Sequence, residues 1–76
     1  MREQELCLFL VKNLAKNKDA VKVEAAEEEN AVVFHVTVDE SDLGKVIGRE
    51  GKTANAIRTL VRALSETSKK VIVKFN

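Results

Sequence analysis

All three glycines of the 76-residue chain fall within Gly44-Lys45-Val46-Ile47-Gly48-Arg49-Glu50-Gly51-Lys52-Thr53, beside three cations and a hydroxyl. Such a set is suited to phosphate. It could cradle the phosphates of a bound nucleotide, or touch those of a longer polyanion. A nucleotide-binding P-loop needs a glycine five positions before the glycine of its Gly-Lys-Thr. Counting back from Gly51 reaches Val46, whose β-branch resists the inward turn of consecutive N–H groups. Nor does a strand run directly into the segment, because Asp39-Glu40-Ser41-Asp42-Leu43-Gly44 intervenes. The spacing therefore favours the longer partner.

Other chemistries are poorly supplied. The single histidine, His35, has no serine or cysteine beside it, and the acids cluster in a turn-like Glu27-Glu28-Glu29-Asn30. Cys7 is alone, which excludes an internal disulfide and suits a small core residue. One histidine and one cysteine far apart make no metal cluster, and neither metal nor cofactor is expected. Catalysis is not expected.

The elements that must position the loop follow from periodicity. Leu6, Leu10 and Leu14, with Cys7 and Val11 beside them, predict an amphipathic helix over about residues 2 to 17. Val21, Val23 and Ala25 alternate as a strand that frays into acids. Val32, Phe34, Val36 and Val38 share one face of the clearest strand in the chain, and the two strands form a hairpin. Leu43, Val46 and Ile47 then recur at helical spacing, with Asp39 or Ser41 as cap and Gly48 as terminator. A second helix opens at Gly51 and closes near residue 66. Its apolar arc is Ala54, Ile57, Leu60, Val61 and Leu64, and its polar arc holds Lys52, Asn55, Arg58, Thr59, Arg62 and Glu66. Val71, Val73 and Phe75 mark a last strand. A path from strand to strand through two helices is a crossover, so these two strands should be parallel. The expectation is an α+β fold, α-β-β-α-α-β, with a mixed three-stranded sheet and three helices on one face.

Charge is polarised along the chain. Residues 1 to 42 carry five bases against ten acids, a net −5, and residues 43 to 76 carry eight bases against two acids, a net +6. A basic face for an anionic partner is one reading; attraction between the two halves is the other. Hydrophobic residues make up 45% and charged residues 33%, as in a soluble folded domain. The apolar run Leu6 to Val11 is too short to span a membrane, and no signal peptide is apparent. One cytoplasmic domain over residues 1 to 76 is expected. With three phenylalanines and neither tyrosine nor tryptophan, the chain lacks an exposed aromatic platform for stacking bases; Phe9, Phe34 and Phe75 are each expected in the core.

Val46-Ile47-Gly48-Arg49-Glu50-Gly51-Lys52-Thr53-Ala54-Asn55-Ala56-Ile57 resembles the signature of the K-homology (KH) family, an apolar pair followed by Gly-x-x-Gly between two helices. The element order resembles the type II, bacterial arrangement, and the whole chain is similar to the small KhpA-type members of that family. The resemblance implies a single-stranded RNA-binding module without catalysis, in which the loop clamps the nucleic-acid backbone. The site residues it implies are Lys45, Ile47, Gly48, Arg49, Glu50, Gly51, Lys52, Asn55 and Arg58. Ile47 is expected nearer the groove and Val46 in the core. Glu50 is discordant, an acid where a phosphate should come, and is expected to face solvent. Ala54 departs from the bulky residue common there in the family. The resemblance further implies a homodimer, or pairing with a larger KH-containing protein of the Jag/KhpB kind, and roles in RNA-chaperone activity and control of cell elongation and division. The alternative is a protein-interaction subunit with accessory RNA contact.

Overall fold

The computed structural model describes residues Arg2–Asn76. Helix α1 spans Arg2–Leu14, and a 3-10 turn at Lys18–Ala20 leads to β1, Lys22–Glu27. Strand β2 follows at Ala31–Thr37, then α2 at Glu40–Ile47, a second 3-10 turn at Arg49–Gly51, α3 at Lys52–Ala63 and β3 at Lys70–Phe75. Strand β2 is central. It pairs antiparallel with β1, placing Val23 opposite Val36 and Ala25 opposite Phe34. It pairs parallel with β3, placing Val32 opposite Val71 and Phe34 opposite Val73. The two-helix connection imposes that direction, since a tight turn can only reverse a strand.

Alternation along the strands decides which face is covered. Val32, Phe34, Val36, Val71 and Val73 are buried on one face, where they meet Cys7 and Val11 of α1, Val46 of α2, and Ile57 and Val61 of α3. All three helices therefore sit on the same side of a mixed sheet, an α+β architecture. Burying a Val or Phe side chain contributes about 1.5–3 kcal/mol, so this single cluster carries most of the drive to fold. Burial also pushes the Cys7 thiol up to about 11, which keeps it protonated and inert at neutral pH.

Three apolar expectations are corrected. Phe9 is 63% exposed, Leu60 50% and Leu64 44%. Only one narrow row of each helix reaches full depth. Phe9 lies two residues from both Cys7 and Val11, roughly 200° around α1, and so points away from the sheet. Leu60 flanks the Ile57–Val61 row, and Leu64 lies past the end of α3, which closes at Ala63 rather than near residue 66. Helix α1 likewise ends at Leu14 rather than 17.

Two buried carboxylates fasten the helices at their ends. Asp42, in the first turn of α2, accepts the backbone N–H of Lys16 at 3.1 Å and of Asn17 at 2.9 Å, just past α1. The Asn17 N–H, then that of Lys16, hold its carboxyl below the ordinary carboxylate value. Glu3 accepts the Ser65 hydroxyl and the Glu66 N–H, each at 3.2 Å, and ties α1 to the chain after α3. Its own backbone N–H at the start of α1 leads the same downward shift. Neither role is visible in the periodicity.

A carboxyl whose folded-state pKa is depressed adds stability above its unfolded value, and that stability is lost as pH falls through the folded value. With an unfolded aspartate near about 3.9, the loss falls below about pH 4. Asp42→Asn is expected to lower the melting temperature at neutral pH and to flatten its decline in acid, as followed by circular dichroism. A native-like acid limb in the variant would show that the pair of amide bonds contributes nothing.

Candidate nucleic-acid interface

The turn between α2 and α3 is built from left-handed backbone. The Gly48 N–H closes the last turn of α2 on Gly44 O at 2.9 Å, and Gly51 N–H reaches back to Gly48 O at 3.2 Å. Three of the four residues Gly48-Arg49-Glu50-Gly51 have positive φ: Gly48 at 78°, Glu50 at 56° and Gly51 at 75°. The two glycines answer different demands. At Gly48, ψ is 172°, a region that only glycine enters freely, and a Cβ would overlap Thr53 Oγ1 and lie 2.7 Å from Thr53 Cβ. At Gly51 the requirement is conformational alone, because the nearest atom to a Cβ there is Asn55 Nδ2 at 4.0 Å. Glu50 holds its left-handed conformation with a side chain attached, at a cost of about 1–2 kcal/mol.

The surroundings are cationic and open. Lys45, Arg49 and Lys52 are exposed, and among the described residues none of them forms an ion pair. Glu50 is exposed as well. Helix α3 has no acid in its first turn and no side-chain cap, and the Lys52 N–H at its start donates to Arg49 O, so its positive dipole end stands beside the loop with no side-chain anion on it. Val46 is fully buried in α2 and Ile47 is half-buried at the rim. A helix and a buried valine thus occupy the place where a nucleotide cradle would need a strand and a glycine. Among the described residues, no cluster of His, Cys, Asp or Glu could hold a metal ion. Among the described residues, no helix is long and apolar enough to cross a membrane.

Asn55 and Arg58 extend this surface along α3, but Arg58 is far from free. Its Nε donates to Val73 O at 3.1 Å, its Nη1 donates to Asn55 Oδ1 at 2.8 Å, and its guanidinium lies 5.3 Å from the Phe75 ring centroid. Arg62 Nε donates to Val71 O at 3.0 Å. Lys70 N–H bonds to Asn30 O and Asn76 N–H to Val36 O, so Val71 and Val73 present their polar groups to the open edge of β3. The two arginines cover that edge, which would otherwise invite another strand.

The structure therefore gathers Lys45, Ile47, Gly48, Arg49, Glu50, Gly51 and Lys52 at one corner, with Asn55 touching it and Arg58 joined through Asn55. His35 is exposed on the sheet face away from the helices, in register with Glu24 and Lys74, and does not join them. Two residues at this corner escaped the sequence reading. Thr53 packs under Gly48, signalled only by its place in the Gly-Lys-Thr. Gly44 is exposed in the middle of α2 with no atom within 4 Å of where its Cβ would stand. A glycine inside a helical pattern with no turn to make was the available signal.

The family model described as KhpA/KhpB, KH domain matches residues 4–75. The chain is similar to the RNA-binding protein KhpA of Aquifex aeolicus, 44% identical over 70 residues that cover 92% of this chain and 89% of that protein. It is 43% identical to the RNA-binding protein KhpA of Borreliella burgdorferi over 91% of this chain and 85% of that one. Identity to the protein of that name from Streptococcus pneumoniae is 37%, over 90% and 86% respectively. Among solved structures, Era in complex with MgGDPNP and nucleotides 1506-1542 of 16S ribosomal RNA matches with a TM-score of 0.65. That match covers 97% of this chain and 30% of that one at 18% identity, a likeness of fold alone.

The three glycines should separate in stability measurements. Gly48→Ala is expected to cost about 2–3 kcal/mol or more, from strain and the Thr53 overlap, and Gly51→Ala about 1 kcal/mol. Gly44→Ala is expected to stabilise by about 0.5–1 kcal/mol. Urea unfolding of the three variants checks the order, and equal costs at Gly48 and Gly51 would contradict the steric distinction.

Proposed function

The chain belongs to the KhpA/KhpB KH-domain family, and from that premise we propose that it binds single-stranded RNA, with the Gly48–Gly51 loop clamping the sugar–phosphate backbone. The observation that carries this reading is an outward, left-handed loop at the uncapped start of α3, flanked by three cations without ion pairs. Backbone N–H groups at a helix start are natural phosphate ligands, and a loop with glycine at two corners lets the chain come within reach. Arg49 and Lys52 neutralise phosphates, Lys45 adds charge from α2, and Ile47 gives a base an apolar rim. Gly44 leaves the α2 backbone open to close approach. Glu50 opposes the phosphate and moderates affinity. Asn55 extends the contact along α3, with Arg58 joined to it through the Asn55 amide. The protein acts by binding and not by catalysis.

Residues 1 to 76 form one KH module in this reading, and the module works in the cytoplasm as an RNA chaperone or post-transcriptional regulator linked to cell elongation and division. One groove spans few nucleotides, so useful affinity calls for paired modules. Phe9 on α1 and Leu60 and Leu64 at α3, all exposed, support a second copy or a larger Jag/KhpB-type KH protein as the partner. The same side chains favour the second reading, an interaction subunit with accessory RNA contact.

Binding of short single-stranded RNA at two salt concentrations separates the readings. Three neutralised phosphates give a slope of about −2 in log affinity against log salt, a fall of roughly 10–20-fold between about 50 and 200 mM. Arg49→Glu/Lys52→Glu, altered only at exposed positions, is expected to abolish binding while keeping the fold, and Glu50→Gln to raise affinity about 2–5-fold. Negligible RNA affinity in the native chain, with partner capture unchanged in the charge-reversed variant, would favour the interaction subunit.

Leu60→Glu tests the paired state by sedimentation velocity. The native chain is expected to dimerise at micromolar concentration and the variant to remain monomeric. Identical sedimentation of the two would remove Leu60 from any interface.

A further inference from the structure

Asn55 sits one turn into α3, and its amide has a fixed direction. Its Oδ1 accepts from Arg58 Nη1 at 2.8 Å. A guanidinium has donors and no acceptor, so the amide cannot flip without setting NH2 against N–H. The two Nδ2 protons must then point away from Arg58. The Nδ2 atom is the nearest neighbour of the empty Cβ position of Gly51, 4.0 Å from it. The amide donor is thus aimed at the loop. Arg58 is itself immobilised by its bond to Val73 O and its seat over the Phe75 ring.

From this geometry we propose that Asn55 Nδ2 is a phosphate donor of the loop and that Arg58 is its positioning residue, acting through Asn55 without touching the nucleic acid. The ligand is an internal phosphodiester, held between the positive N-terminal end of α3 and the Asn55 amide. The inference rests on the RNA-binding function above and adds to it a division of labour. Arg49 and Lys52 supply charge that salt screens, whereas Asn55 supplies a directional, uncharged bond. Arg58, although a cation on the same helix face, contributes order and no neutralised phosphate. Glycine at 51 keeps the path from Nδ2 to the loop clear of a side chain.

The test measures affinity of fluorescein-labelled octauridylate across a salt series for the native chain, Asn55→Ala, Asn55→Asp, Arg58→Gln and Asn55→Ala/Arg58→Gln, each checked for fold by circular dichroism. Asn55→Ala is expected to weaken binding about 5–10-fold. Asn55→Asp, the same shape with the donor removed and a charge added, weakens it further. Arg58→Gln weakens binding about 3–5-fold with the salt slope unchanged, and costs nothing more once Asn55 is alanine. A slope made shallower by about 0.7 in Arg58→Gln would mean that its charge meets a phosphate, and would overturn the positioning role. So would additive losses in the double variant. Native affinity in Asn55→Ala, with binding still lost in Arg49→Glu/Lys52→Glu, would overturn this inference and leave the RNA-binding function standing. Failure of the native chain to bind octauridylate would overturn both.

Discussion

The constraint on which this end of the molecule depends is the approach of Gly48 to Thr53. Helix α2 must end and α3 must begin within four residues, and both must still lay an apolar row on the same sheet. That is possible only if the chain leaves α2 through a backbone corner closed to side chains and passes within contact of the first turn of α3. Everything placed at this end of the molecule inherits its position from that corner. Val46 goes into the core and Ile47 to the rim, while Arg49 and Glu50 are thrown outward. The N-terminus of α3 is left without a side-chain cap beside them. A local torsional requirement thus shapes the candidate surface.

Such a corner needs a rigid frame. The sheet supplies it, since central β2 is paired on both sides and its Phe34 is wholly buried under the helices. Helix α2 is only eight residues long, too short to hold itself by helix propagation. Asp42 compensates by tying its first turn to the end of α1 through two amide bonds, so the short helix is fixed at one end by a carboxylate and at the other by Gly48. Glu3 does the corresponding work between α1 and the exit from α3. The surface loop is therefore braced by groups at the opposite ends of the two helices that flank it.

Legibility in the sequence followed how local each cause was. The three strands, their core face and the crossover could be read because Val32, Phe34, Val36, Val71 and Val73 obey a strict period of two. The two glycines three apart located the turn. What periodicity could not distinguish was depth: Phe9, Leu60 and Leu64 are as apolar as their buried neighbours, and only the angle between helix and sheet leaves them outside. Partnerships across 25 to 63 residues of chain, such as Asp42 with Asn17 or Glu3 with Glu66, leave no local trace. Arg58 and Arg62 were legible as a cationic stripe, yet their bonds to β3 carbonyls depend on where the sheet edge falls.

The distribution of charge reflects the same division between structure and surface. Of the acids in the first half, Asp42 and Glu3 turn inward to backbone N–H groups, and Glu27, in the hairpin, pairs with Lys69 at 3.3 Å. Of the bases in the second half, Lys69, Arg58 and Arg62 are engaged with the hairpin or the β3 edge. Among the described residues, Lys45, Arg49 and Lys52 at the loop and Lys70 and Lys74 on β3 have no such employment. Mutual attraction of the two halves therefore accounts for part of the polarity only, and three of the five cations left over are those around the loop. Glu50 stands among them in a left-handed conformation that glycine or asparagine would adopt more cheaply. In the proposed clamp, a residue that is unfavourable both for the backbone and for a neighbouring anion lowers affinity without closing the site.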